Sequence, residues 1–391
     1  MSDPVIFVGF TPESSRLMIG RSDSVAIYGL DPFEVIVEQN SCGASHLAQL
    51  NETSLVACVG TGSDPAFSPR VLRLINVTTN AIAAEISFRS TILFINFIPN
   101  LFVILLENIL YVFDIQSLSA IFSQDISKNR TGLCAVTQKH CAQHLIAYPH
   151  NETSVLLFDV VNLKTVNVFK VHRCRISAMA FSSAGSELAT ASLRGTVIRI
   201  WDVKDGRLLH EFRRGISPVK IMSLSFSHDD AFLASTSDTN TVHIYAINAS
   251  PEPTSTSAIS SYYPKSLTAP SLSRSDYQLR LKANTPSLKR NRCIGQWHAS
   301  TTKLFIVTSY CGDANLLVLT FDFWNGAFHL IAEDSLTPAE SEFVDAVAIT
   351  RDAEEPTQGT SVDWAEIDMA TAETISSARI TNSQNDRRQM N

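Results

Sequence analysis

One short pattern recurs along the chain at a nearly constant interval: a β-branched or apolar run that closes on an aromatic residue followed by Asp or a small substitute. Clear copies are YVFD ending at Asp114, LLFD at Asp159, RIWD at Asp202 and HIYA at Ala246, spaced by 45, 43 and 44 residues. Weaker copies are AIYG at Gly29, RLIN at Asn76 and VLTF at Phe321. Between copies the chain breaks into short strand-like runs, as in TILFINFI, LFVILL, ILYVFDI and LSAIF from Thr91 onward, parted by Asn, Pro and Glu-Asn turn residues. Four strands per repeat is the content of one propeller blade. Seven copies, one after a stretched interval, predict an all-β, seven-bladed WD40-like β-propeller over residues 1–350. The near absence of helical periodicity removes helical-repeat and α/β alternatives.

Composition narrows the function. A formal net charge of −7 argues against a nucleic-acid binder. Seven Cys with no C-x-x-C pair suit a reducing compartment better than a disulfide framework. Cys134, His140, Cys141 and His144 match no standard zinc spacing, so no metal and no cofactor is expected. There is no P-loop, G-x-S-x-G, H-E-x-x-H or paired-carboxylate motif, and the expected protein is not an enzyme. The start lacks a signal-peptide pattern, and the most apolar stretch, Thr91 to Ile115, is too interrupted to span a bilayer as a helix. Any membrane contact is expected to be peripheral.

Two segments depart from the repeat. Residues 248–292 form an insertion with seven basic residues against two acidic ones, and it carries Tyr262, Tyr263, Lys265 and Leu267. Pure linkers are seldom aromatic, so this insertion reads as a membrane-contact loop. Residues 351–391 are polar, with eight acidic and four basic residues, and read as a disordered acidic tail.

The repeats at 188–201 and 233–245 are twins. LATAS aligns with LASTS and TVIRIW with TVHIY, so Ser192 matches Ser237, Thr196 matches Thr241, and Arg199 and His243 each stand two residues before the closing aromatic. Between them lies Phe212-Arg213-Arg214-Gly215, at the end of an outermost strand. Neighbouring strand residues point to opposite faces, so Arg213 and Arg214 could equip two separate pockets. A guanidinium fork, hydroxyl donors and a second basic group suit a phosphomonoester. His172 could reach the first pocket. The plain alternative is a solvated strand end whose Ser and Thr residues only satisfy turns.

FRRG at 212–215 in a seven-bladed propeller resembles the hallmark of the PROPPINs, the phosphoinositide-binding autophagy propellers that include the WIPI proteins. S-x-x-G-T-x-I-R-I from Ser192 and T-V-H-I from Thr241 fit the same family. VGTGSDPAFSPRVLRL (59–74) and TGLCAV (131–136) look most like its WDR-type, WIPI-three/four branch. The resemblance implies two head-group sites for phosphatidylinositol 3-phosphate and the 3,5-bisphosphate. Site one would use His172, Ser192, Gly195, Thr196, Arg199 and Arg213; site two would use Arg214, Ser237, Thr241 and His243. It also implies a blade-six loop inserted into the bilayer, peripheral recruitment from the cytoplasm to phagophore and endosomal membranes, and an autophagy lipid-transfer protein as partner on blades one to three. Ile216 departs from the small hydroxyl residue expected after FRRG, and Arg194 adds a charge to the SLRGT turn. A generic WD-repeat scaffold that binds peptides through its central channel is the competing expectation.

Overall fold

The computed structural model describes residues 5–40, 43–247, 275–281, 293–309, 316–324, 327–336 and 347–351. These form seven antiparallel sheets, six of them built from four consecutive strands and one from four consecutive strands plus a strand from the end of the described chain. The seven recurring sequence motifs are the seven third strands: Val25–Leu30, Val71–Asn76, Ile109–Asp114, Ser154–Asp159, Val197–Asp202, Thr241–Ala246 and Leu316–Trp324. The expected seven-bladed propeller is the fold of the chain.

The turn after each third strand explains the repeated Asp. Asp114 accepts from the Ser117 N–H at 2.7 Å, Asp159 from Asn162 at 2.8 Å and Asp202 from Lys204 at 2.8 Å. Asn76 does the same for Thr78. Each side chain caps a tight turn into the fourth strand. Just before the cap, at the closing aromatic or its substitute, the pairing of third and fourth strands slips by one residue in six blades. Such bulges raise the local twist that a blade needs. Blade six has Ala246 instead of Asp, because there the chain leaves on the long insertion and no tight turn follows. Its Ala246 N–H is met by Asp276 from the far end of that insertion, at 2.7 Å.

The insertion is therefore shorter than the sequence suggested. Tyr277–Leu281 is the fourth strand of blade six, paired to Thr241–Ile244, and Tyr277 is buried in the core rather than offered to a membrane. Val347–Arg351 adds a fifth strand outside it. Tyr262, Tyr263, Lys265, Leu267 and the tail after Arg351 lie outside the described residues. Among the described residues, no helix is long and apolar enough to cross a membrane.

The buried apolar residues fall into seven clusters, one per seam between neighbouring blades. Middle strands are covered on both faces, so they can read as continuous apolar runs such as LFVILL, whereas fourth strands alternate. The ring closes chiefly by packing: Leu17, Ile19 and Tyr28 of blade one meet Phe305, Val307 and Val318 of blade seven. Across the same seam the Ala299 N–H donates to the Glu13 carbonyl at 3.2 Å and Lys303 pairs with Asp31. Among the described residues no strand is exchanged between the two blades. Innermost strands of all seven blades line a central channel of about 350 Å³.

Candidate functional site

The site lies where the second-to-third turns of blades five and six meet the connection between those blades. That connection, residues 214–220, is laid against the blade-five turn. Arg214 N–H donates to the Thr196 carbonyl at 3.0 Å and Val219 N–H to the Arg194 carbonyl at 3.1 Å. Gly195 allows this approach. Its φ is +61°, and a Cβ there would stand 2.1 Å from the Val219 carbonyl oxygen. Gly195 is thus a backbone requirement of the site rather than a ligand group.

Arg213 and Arg214 leave the strand on opposite faces. Arg213 lies opposite Val197, on the face that carries Arg199 and Glu211. Its guanidinium is exposed and makes no hydrogen bond or ion pair among the described residues. The face of Arg214 is the one on which Phe212 packs on Tyr245 of blade six, ring centroids 4.8 Å apart. Arg214 is half-buried, donates through Nε to the Gly195 carbonyl at 2.7 Å and through Nη2 to the Ser217 carbonyl, and lies near Tyr245 and Asp238. Burial lowers its pKa somewhat, opposed by those two groups, yet it stays cationic.

Around Arg213, the Ser192 side chain is buried and the Thr196 side chain half-buried, and neither hydroxyl has a partner among the described residues. Arg199 and His172 are differently placed. Arg199 Nε is paired with Glu211, and Nη1 donates to the Val171 carbonyl at 2.9 Å and to His172 Nδ1 at 3.2 Å. His172 is 4% exposed, and its Nε2 donates to Thr190 Oγ1 at 3.1 Å, which also accepts the Trp201 indole N–H at 2.9 Å. Because Arg199 can only donate, Nδ1 must accept, which fixes the tautomer with the proton on Nε2. Both side chains are committed to the blade interior and shape the wall behind Arg213. Blade two repeats the wall, with Arg73 held by Glu85 in the same register, but its Arg73 stacks over Phe67 at 4.1 Å.

On the blade-six side, Ser237, Thr239 and Thr241 form a closed set of hydroxyls, with Oγ–Oγ distances of 2.8, 2.8 and 3.0 Å. Thr239 is not among the residues the twin repeats point to, although the S-D-T-N-T turn carries the signal. His243 is 5% exposed and its Nδ1 lies 3.0 Å from Ser275 Oγ, so it too supports from below. Asp238 accepts the Lys220 N–H and places one acid beside this set.

His172 is held down to about 4, chiefly by burial and then by the Arg199 charge. Near pH 7 the ring is neutral in both folded and unfolded chain. Between the ordinary value of 6.5 and about 4 the unfolded chain binds a proton that the folded chain refuses, so stability falls as pH falls through that window, by up to about 3 kcal/mol. The urea midpoint is expected to drop from pH 7 to pH 5, and His172→Gln is expected to show a smaller drop. Equal drops in both proteins would contradict a buried neutral ring.

Among the described residues no cluster of three metal-ligating side chains occurs, and burial raises the Cys134 thiol far above its ordinary pKa, leaving it inert.

Comparison with known proteins identifies the family of the propeller. Residues 45–276 match the PROPPIN family model. The chain belongs to the PROPPIN family. It is 34% identical over 251 residues to autophagy-related protein 18 of Dictyostelium discoideum, a match spanning 64% of this chain and 67% of that protein. It is 30% identical to autophagy-related protein 18 of Komagataella pastoris, over 63% of this chain and 52% of that protein. Among solved structures, Hsv2 of Kluyveromyces marxianus superposes with a TM-score of 0.68 at 19% identity, covering 86% of this chain and all of that one. KlAtg21, solved with the coiled-coil of AgAtg16, gives 0.67 at 21%, covering 86% and 100%. As a PROPPIN the chain has a phosphoinositide-binding role in autophagy in general and is a binding propeller, not an enzyme.

Proposed function

We propose that this PROPPIN reads phosphatidylinositol 3-phosphate and the 3,5-bisphosphate on forming autophagosomal or endosomal membranes through two head-group pockets, and that it recruits the autophagy lipid-transfer machinery there. The observation that carries the reading is the divergence of Arg213 and Arg214 onto opposite faces of one strand end, each beside its own hydroxyl set. Pocket one is Arg213 with Ser192 and Thr196, backed by Arg199 and His172 and framed by Gly195. Pocket two is Arg214 with Ser237, Thr239 and Thr241, backed by His243. Guanidinium forks and hydroxyl donors are matched to a phosphomonoester, and two shallow pockets on one rigid rim gain avidity when a membrane offers both ligands in a plane.

The partner would dock on blades one to three, where the blade-two turn within residues 59–74 is held in a fixed shape. Arg73, pinned by Glu85 and stacked on Phe67, fixes the base of a turn whose tip, residues 62–66, is exposed. The basic insertion, with Tyr262, Tyr263, Lys265 and Leu267, would add attraction of about 1 kcal/mol per basic residue near an anionic surface.

In sedimentation with phosphatidylcholine vesicles, the full chain is expected to pellet when about 5% phosphatidylinositol 3-phosphate is present and to stay in solution with unphosphorylated phosphatidylinositol. Equal pelleting with both lipids would refute head-group recognition and leave only charge attraction, which fades with salt.

A further inference from the structure

Ile216 is 83% exposed, the most exposed large apolar side chain among the described residues, and Leu193 is 57% exposed. Most other exposed apolar residues, such as Val35, Ile82, Ile121 and Val168, are β-branched positions on outermost strands, where strand propensity accounts for them. Ile216 and Leu193 lie in connections, where a polar residue would serve the backbone equally well. Val161 is also exposed in a turn, but at the opposite end of the strands.

The two connections are tied together. The Leu193 N–H donates to the Arg175 carbonyl at 2.7 Å, and the neighbours of both residues are joined by the Val219–Arg194 and Arg214–Gly195 bonds. Ile216 follows Gly215, around which a side chain would meet no atom within 4 Å. Both apolar tips therefore project from a fixed backbone into open space. Arg173, Arg175, Arg194, Arg213 and Lys220 surround them, all exposed. None of these five side chains has a hydrogen bond or ion pair among the described residues. Unpaired cations around protruding aliphatic tips are the composition of a surface that sits at a lipid interface: the charges meet anionic head groups while the tips enter the acyl boundary.

We propose that Leu193 and Ile216 form a built-in membrane contact between the two head-group pockets, entering the bilayer interface of an anionic membrane independently of the 248–274 segment. This rests on the head-group reading above and extends it: the pockets would select the lipid, and the tips would convert head-group binding into membrane retention.

The test is Leu193→Ser with Ile216→Ser in the full chain, with two readouts. One is affinity for phosphatidylcholine vesicles carrying phosphatidylinositol 3-phosphate; the other is calorimetric affinity for soluble inositol 1,3-bisphosphate. The tips are solvated in the free protein, so folding is expected to be unchanged, as checked by the urea midpoint. Vesicle affinity is expected to fall about 10- to 100-fold, the scale of two aliphatic side chains withheld from an apolar phase, with soluble head-group affinity within twofold of the parent. Unchanged vesicle affinity overturns the contact. Equal loss in both readouts overturns it too, since the tips would then act through the pockets. If the parent chain binds neither soluble head group nor vesicle, the head-group reading itself fails, a result distinct from the other two.

Discussion

Replacing Arg213 and Arg214 together by Thr is expected to remove binding to vesicles carrying phosphatidylinositol 3-phosphate, a loss of at least about a hundredfold. A charge-assisted guanidinium–phosphate contact is worth about 1.5–3 kcal/mol, and two pockets on one rim multiply their effects through avidity. The single variants separate the two pockets. Arg213 has no protein partner among the described residues, so Arg213→Thr is expected to leave stability unchanged. Arg214 also braces the Gly195 and Ser217 carbonyls, so Arg214→Thr is expected to cost about 1 kcal/mol of stability as well. On vesicles either single change removes the avidity, and each approaches the double variant. With soluble inositol 1,3-bisphosphate the pattern differs: the stoichiometry is expected to fall from two to one in each single variant and to zero in the double. Calorimetry giving two sites in Arg213→Thr would contradict one guanidinium per pocket.

Why the repeat and the divergence of the Arg pair are legible in the sequence, and the contacts of Arg199 and His172 are not, follows from the range of each interaction. The repeat was visible because its marks are local: an Asp capping a turn two or three residues away, beside an aromatic at a bulge. The divergence of Arg213 and Arg214 is equally local, since it follows from the two-residue period of a strand. The commitments of Arg199 and His172 depend on register and burial instead. Arg199 is matched to Glu211 across a ladder, and His172 reaches Thr190 from the linker before the blade. A clue existed, since a basic residue on the third strand with Glu twelve residues later occurs at both Arg73 and Arg199. Tyr277 shows the same limit. It lies inside the 248–292 insertion, where the repeat offers no local mark for a strand, but 30 residues of detour bring it back onto Ile244 as the fourth strand of blade six.

Thr190→Val is expected to be among the most destabilising single changes in blade five, costing about 2–4 kcal/mol in a urea titration. Val has nearly the shape of Thr, so no cavity forms and the effect isolates the hydroxyl. That oxygen accepts from both the His172 ring and the Trp201 indole, and both donors are buried. Removing it strands two N–H groups where water cannot reach them, at about 1–3 kcal/mol each, with some relief from local adjustment. Thr190→Ser keeps the acceptor and is expected to cost only about 1 kcal/mol for the lost methyl group. A valine variant no weaker than the serine variant would show that the hydroxyl is not the hub. The consequence reaches the site through His172: once its Nε2–H loses a partner, the ring is free to turn, and Arg199 loses the acceptor at Nδ1 while keeping Glu211 and the Val171 carbonyl. Arg199 should then stay in place. Head-group affinity in Thr190→Val is accordingly expected to fall only a few-fold under conditions where the protein remains folded, so that stability and recognition separate in one variant.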